Sequence, residues 1–422
     1  MLKQGIISFF EYLLMLMIIL EFNTPYIYFP LIKNLVNFFI IISALVLLLF
    51  HWRNLSLEIF AFAFLLLIGA IFPFMHVYEG RITSYIKIYF IIFPLLFLLL
   101  ASYITSQGLD INRLMSKFSN IVFSIAVISI SFWLFGSILG YVESTAVIPN
   151  SWGGDHFIPT YYGLYFETQE ATASEGIGIL VRNSGIFNEG PMYNMILCTS
   201  LAYEIFLNGT TRLFKIVTIV IAILTTVSTT GFIFLLLLFS VKGYMALSSK
   251  YGLQMVLLFP VILFLGIVAI STVLDNKKEK GEGSYNSRSR DITKCIEVGI
   301  EHPVTGVGIF FNSEENSSDN RSFGYSNSLF GTFAHGGFYF LFLYLIPLFV
   351  MPIFVFFKNG DSQFLMMLLS FFLLFSFTVS QYRVLTVFML SYSLSYWYMT
   401  TFTAQSECRL QTGQSCDYGK VN

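Results

Sequence analysis

A near-continuous succession of apolar windows limits what this chain can fold into. They fall at about 5–22, 27–50, 56–75, 83–104, 119–142, 191–208, 213–230, 231–248, 252–274, 336–357, 361–379 and 382–403. Each is near the roughly 20 residues that carry an α-helix across a hydrocarbon core. In lipid every backbone polar group needs a partner within its own segment, so windows of this length predict helices. The 422 residues are 56% hydrophobic and 11% charged, against about 25% charged in an ordinary soluble domain. The expected architecture is an all-α polytopic membrane protein with about twelve transmembrane helices. Residues 1–403 form one embedded domain, and 404–422 a cytoplasmic tail. The shortest connections are the turns at Ser228-Thr229-Thr230-Gly231 and Ser380-Gln381.

Two long stretches, about 143–190 and 275–335, interrupt the apolar pattern. Lysines and arginines in short loops mark the cytoplasmic side. With the N-terminus inside, that side receives Lys3, Arg53, Arg113, Lys117, Arg212, Lys215, Lys242, Lys250, Lys358, Arg409 and Lys420. The outer connections at Glu21–Tyr26 and Ser228–Thr230 receive none. Both termini are then cytoplasmic, and both long stretches are extracytoplasmic loops. Lys3 is followed by an apolar run without a small-residue cleavage site, which reads as a retained first helix. Phe (48) and Tyr (24) are abundant, as lipid-facing and interfacial positions require.

Against this rule, the outside carries Arg81, Arg182, Lys277, Lys278, Lys280, Arg288, Arg290, Lys294, Arg321 and Arg383. Lys33 and Lys87 fall within helices, in the outer half, whereas Glu11, Glu58 and Glu204 fall towards the cytoplasmic half. A charge inside a spanning helix is costly and faces a cavity or a partner. The alternative for a lysine is to snorkel to the headgroups. A single external cavity holding an anion accounts for Lys33, Lys87, Arg81, Arg182 and Arg383 together.

The second loop predicts a short amphipathic helix over Tyr285–Glu301. Ile292, Cys295, Ile296 and Gly299 recur at helical spacing on one face, and Arg288 lies one turn before Ile292 on that face. Arg290, Lys294, Glu297 and Glu301 fall on the opposite face. Arg288 is therefore the ligand candidate, and Arg290 a solvated or ion-paired charge beside it. Pro303 ends the helix, and Thr305-Gly306-Val307-Gly308 follows, where glycine permits sharp bends and close approach. Asn312–Arg321 reads as a flexible exposed lobe.

In the first loop, Trp152-Gly153-Gly154-Asp155-His156 opens a Tyr- and Trp-rich stretch suited to sugars or to an interfacial belt. Arg182 to Pro191 places a guanidinium, a glycine, a carboxylate and a helix-starting Gly-Pro within one segment. The free N–H groups of a helix beginning near Pro191 favour an anion. Glu189 is a candidate base, with stabilisation of the helix start as the alternative. The cysteines Cys198, Cys295, Cys408 and Cys416 have neither the count nor the spacing of a disulfide framework or metal site. No metal or cofactor is expected. The net charge of −1 gives no basis for a nucleic-acid partner.

Arg182-Asn-Ser-Gly185-Ile-Phe187-Asn-Glu189-Gly-Pro191 resembles a segment of the O-antigen ligase and polymerase superfamily. Ser287-Arg288 followed by Glu301-His302-Pro303-Val304-Thr305-Gly306-Val307-Gly308 is similar to its large-loop signature. Ser326-Asn327-Ser328-Leu329 to His335-Gly336-Gly337 resembles its His-Asn segment. The resemblance implies a bacterial Wzy-type polymerase making O-antigen, lipopolysaccharide or capsule at the outer face of the plasma (inner) membrane. Such an enzyme is a metal-independent glycosyltransferase joining undecaprenyl diphosphate-linked oligosaccharide repeat units and releasing undecaprenyl diphosphate. Donor and acceptor lipids, membrane lipids and a chain-length regulator protein are the implied partners. By the same resemblance Arg182 and Arg288 hold the diphosphate as catalytic residues with Glu189. Lys33, Lys87, Arg81, Arg290, Arg383, His335 and Asn327 contact substrate. Ser326 stands where ligases place a histidine, so the acceptor proton passes to Glu189, with His335 and Asp155 as further candidates. For His335 a structural role at the start of its helix is the alternative. The other functional readings are an O-antigen ligase and a lipid-linked sugar transporter or flippase. A transporter would show inverted repeats and broken helices at midplane.

Overall fold

The computed structural model describes residues 2–77, 81–105, 112–150, 156–171, 180–208, 212–251, 283–310 and 327–403. Among these residues helices dominate. They are α1 (Leu2–Glu21), α2 (Pro30–His51), α3 (Leu57–Phe74), α4 (Ile82–Thr105), α5 (Asn112–Ile138) and α6 (Gly190–Phe206). After these come α7 (Leu213–Thr225), α8 (Thr229–Tyr251), α9 (Gly283–Glu301), α10 (Ser328–Asn359), α11 (Ser362–Phe377) and α12 (Val384–Tyr398). Six of them, α1 to α5 and α10, are long and apolar enough to cross a membrane. A helix occupies each apolar window except 252–274, which lies outside the described residues, as do the lobe Asn312–Arg321 and the tail.

Local chemistry sets several of the starts. The side chains of Ser56, Asn327 and Asp361 accept hydrogen bonds from the backbone N–H groups of Ile59, Phe330 and Phe364, satisfying donors that a first turn leaves open. Burial sorts the helices into layers. In α6 nearly every side chain is buried, as is the run Val384–Ser395 of α12, so these two form the centre. By contrast α2 and α3 expose Leu31, Leu49 and Phe64, an outer face fit for lipid. At the end opposite the candidate site, buried carboxylates are paired across helices. Glu11 meets Arg113 at 2.8 Å, and Glu204 meets Lys215 at 2.5 Å and the Ser119 hydroxyl at 2.5 Å.

Two features depart from the sequence expectation. The chain is not all-α. After α5 it forms an antiparallel sheet of β1 (Ala146–Asn150), β2 (His156–Tyr161) and β3 (Tyr165–Phe166), with a second pair, β4 (Glu170–Ala171) and β5 (Leu180–Val181). Pro149 and Pro159 bar a helix here, and the Val, Ile, Phe and Tyr around them suit a pleated surface.

The second departure concerns α10. The apolar window opens at 336, yet the helix begins at Ser328, since Gly331, Thr332 and His335 dilute the signal of its first turns. It is then interrupted at Gly336 (φ −134°) and Gly337 (φ 61°). The loop after α9 fills this break: Val307 N–H donates to Ala334 O at 3.0 Å, and Gly308 N–H to His335 O at 3.0 Å. Phe338 N–H in turn donates to Pro303 O at 2.7 Å. Glycine is required on both sides. A Cβ on Gly306 would lie 2.3 Å from the His335 carbonyl carbon, and one on Gly337 2.4 Å from Pro303 O. His335 therefore sits inside the helix, just before its break, and not at its start.

Candidate anion site at one end of the bundle

The site begins where α1 ends. Glu21 is the last residue of α1, and Asn23 turns the chain in the left-handed region (φ 55°), which Asn tolerates better than most residues. A 3-10 turn, Pro25–Tyr28, then leads into α2. Fully buried, Asn23 connects three segments. Its backbone carbonyl accepts from Asn188 Nδ2 at 2.8 Å and from Asn188 N–H at 3.1 Å. Its Oδ1 accepts from Arg383 Nη2 at 3.1 Å and from the Tyr28 hydroxyl at 3.3 Å.

Glu21 binds the start of α12. Its Oε2 accepts the Val384 N–H at 2.9 Å, and its Oε1 lies 3.8 Å from Arg383 Nη1. A carboxylate at a helix N-terminus satisfies an open donor and meets the positive end of the dipole. The charges of Arg383, Lys87 and Lys33 all act on Glu21, those of Lys33, Lys87 and Arg383 act on one another, and Arg81 acts on Lys33. Lys33 and Arg81 are exposed, and Lys87 and Arg383 half-buried. The structure thus brings together four of the basic residues singled out in the sequence.

The Arg182–Pro191 segment forms the adjoining wall. Asn183 N–H donates to Thr225 O at 3.0 Å, its amide to Thr225 Oγ1 at 3.0 Å, and its Oδ1 accepts the Gly185 N–H at 3.1 Å. Gly185 (φ 57°) lies under the Tyr193 ring, which stacks on Phe187 with centroids 5.3 Å apart. A Cβ on Gly190 would come within 3.0 Å of Thr226 O, so the Gly-Pro start lets α6 lie against the end of α7. Glu189 occupies the cap position of α6, but its side chain makes no capping hydrogen bond. Its backbone carbonyl takes the Met192 and Tyr193 N–H groups instead. Burial pushes the Tyr28 phenol above its usual value; Arg383 opposes this and Glu189 reinforces it. Tyr28 thus lies within the fields of both charges. Arg182 is half-buried at the head of the segment, its N–H donating to Gln169 O at 3.2 Å.

Glu21, Asn23 and Asn188 were not singled out in the sequence. Their signal was faint: a polar Glu-Phe-Asn-Thr-Pro junction between two apolar windows, in a connection lacking basic residues. Among the described residues, Asn23 Nδ2 and Asn188 Oδ1 are buried without a hydrogen-bond partner. One donor and one acceptor stand beside a rim where four cations outnumber Glu21 and Glu189. Such groups call for a ligand or ordered water.

The remaining candidates belong to a neighbouring group on α9 and α10. Arg288 is half-buried and Arg290 exposed, while Cys295 and Val298 pack with Ala334 of α10. Gly299 lies so close beneath Phe333 that a Cβ would meet its ring at 2.3 Å. Burial pushes the Cys295 thiol up to about 12. Asn327 is the cap of α10, with Oδ1 accepting from Phe330 N–H at 2.9 Å. His335 is buried, its Nδ1 paired with the Tyr382 hydroxyl and its ring parallel to Tyr382. Tyr382 also accepts the Phe310 N–H at 3.2 Å, so the helix break adjoins Arg383 through the preceding residue. Trp152, Gly153, Gly154, Asp155, Ser326, Lys277, Lys278, Lys280 and Arg321 lie outside the described residues. Among the described residues, no group of three His, Cys, Asp or Glu side chains is placed to hold a metal.

Chemically, this end of the bundle offers guanidinium and ammonium groups, two helix N-termini and buried amides around one location. That combination suits a multiply charged anion attached to a hydrogen-bonding body. Comparison with family models, with curated proteins and with solved structures finds no match to this chain.

Proposed function

We propose that this chain is a membrane-embedded polymerase of lipid diphosphate-linked sugars, of the Wzy type, working at the outer face of a bacterial plasma membrane. The observation carrying the reading is the gathering of Arg383, Lys87 and Lys33 around Glu21, with Arg81 acting on Lys33 and Arg383 bonded to Asn23, beside the Asn188–Glu189 wall. In this reading about twelve helices span the bilayer, both termini are cytoplasmic and the site faces outwards. The cations hold the diphosphate of an undecaprenyl-linked donor. The acceptor hydroxyl oxygen forms a bond to the donor's anomeric carbon. The bond from that carbon to the diphosphate breaks, its electron pair leaving with the diphosphate. Arg383, with Arg182 and Arg288, stabilises the charge on the leaving group, and Glu189 takes the hydroxyl proton. A chain-length regulator is the partner protein in this reading.

A specific observation favours a second reading, a transporter of lipid-linked sugars: the interruption of α10 at Gly336–Gly337, since broken helices mark transporter sites. One experiment separates the two. Purified protein in lipid vesicles is given a short undecaprenyl diphosphate-linked repeat unit, and products are resolved by length. The polymerase yields a ladder and free undecaprenyl diphosphate. Movement of the unpolymerised lipid-linked sugar across the vesicle wall, with no ladder, overturns the polymerase in favour of the transporter. In a parallel reaction supplied with preformed lipid-linked polymer and an acceptor, transfer of that polymer, with no ladder from the repeat unit, identifies a ligase.

A further inference from the structure

The sheet after α5 is apolar on its outward face, which that of a water-exposed hairpin is not. Its register pairs Val147 with Pro159 and Pro149 with Phe157, and paired residues in an antiparallel ladder share a face. The opposite face carries Ile148 and Ile158, which pair together, and Thr160. That second face is the inward one: Ile158 and Thr160 are buried. Next to it, Phe166 N–H donates to Gly185 O at 2.9 Å, and the Ser184 hydroxyl donates to Phe166 O at 2.8 Å. The first face looks outwards, with Val147 58% and Phe157 74% exposed.

An antiparallel sheet with one face in water normally alternates apolar inside with polar outside. Here the outward positions are Val, Pro, Phe and Pro. Residues 144–150 and 156–166 contain no Asp, Glu, Lys or Arg, so among the described residues no charged side chain on either strand holds that face in water. The outward face is also continuous with the end of a candidate span. At its base Tyr161 and Tyr165 pack against Phe132 of α5, and Tyr161 lies against Gly136. Around this junction Leu139, Tyr141 and Tyr162 are exposed, and tyrosine is enriched where bilayer meets water.

We infer that the outward face of the β1–β2 hairpin is a lipid-contact surface, lying in the headgroup and upper acyl region beside the outer end of α5. Its occupant is the bilayer itself. The depth is that of other interfacial segments, about 5–10 Å into the headgroup boundary. The consequence reaches the candidate site, because β3, which pairs with β2, bonds Ser184 and Gly185 through Phe166, and the Tyr26 hydroxyl donates to Gly163 O in the β2–β3 turn. The bilayer thereby steadies the wall bearing Arg182 and Glu189. This inference rests on the helices spanning a membrane and not on the reaction.

The test is site-directed fluorescence in vesicles of phosphatidylethanolamine and phosphatidylglycerol. Phe157→Cys and, separately, Val147→Cys are made in a chain with Cys408→Ser and Cys416→Ser, and labelled with an environment-sensitive dye. Glu297→Cys, on the exposed face of α9, is the aqueous reference. Both hairpin labels should be quenched by nitroxide-bearing lipids and be severalfold less accessible to iodide than the label at 297. Iodide quenching equal to the reference, with no effect of nitroxide lipids, overturns the inference. So does protection from both quenchers that disappears on dilution into excess lipid, which identifies a second copy as the occupant. No outcome depends on enzymatic activity, so failure here is distinguishable from failure of the proposed reaction.

Discussion

At the residue scale, Arg383 has the clearest bond pattern of the clustered cations, reaching both Glu21 and Asn23. Arg383→Ala removes a fork donor beside the proposed diphosphate and should lower polymer formation by about 10²-fold, or about 3 kcal/mol. Arg383→Lys keeps the charge but not the fork, and should retain an intermediate rate. Equal activity in all three proteins would remove Arg383 from the site. On α9, half-buried Arg288 and exposed Arg290 should differ in the same assay, with Arg288→Ala far more damaging than Arg290→Ala. Cys295 gives a pH prediction. Its thiol is pushed up to about 12, so the reactive thiolate is scarce at pH 8 and stays scarce until the pH nears that value. Maleimide should modify Cys295 at pH 8 only after unfolding, as mass spectrometry of the intact and denatured protein would show.

At the scale of elements, the break in α10 is closed by backbone hydrogen bonds from the loop after α9. Gly306 (φ 63°) and Gly337 (φ 61°) face carbonyl groups that have no room to retreat. Gly306→Ala or Gly337→Ala combines left-handed strain of about 1–3 kcal/mol with a backbone collision. Either should lower the unfolding temperature markedly in detergent, whereas Gly243→Ala, with nothing within 4 Å, should not. An unchanged transition in Gly337→Ala would mean that the loop does not fill the break. The buried pair Glu204–Lys215, which joins α6 to α7, makes the complementary case. Lys215→Met leaves a buried carboxylate without its cation and should cost about 3–5 kcal/mol. Adding Glu204→Leu should restore much of that loss, read from the same melting curves.

At the scale of the whole molecule, the six long apolar helices were legible as composition, because a window of about 20 apolar residues needs no context to be recognised. The amphipathic α9 was equally legible, since Cys295 and Gly299 recur at the helical period and are buried. The hairpin was not: Pro149 and Pro159 forbid a helix without specifying a partner strand, and register is set by pairing. Nor was the first part of α10, where small and polar residues hide a helix that packing against α9 supports.

The sequence by itself determined that the chain is a bundle of apolar helices, and that Lys33, Lys87, Arg81 and Arg383 are out of place among them. Both follow from local hydropathy and charge. Only the tertiary structure decided that Arg383, Lys87 and Lys33 gather around Glu21 with Arg81 beside Lys33, that Asn23 ties α1 to Arg383 and Asn188, and that His335 lies within a broken helix. Those facts depend on contacts between residues as much as 363 positions apart. No local pattern encodes such contacts, because they exist only once the helix ends have been brought to one side of the bundle.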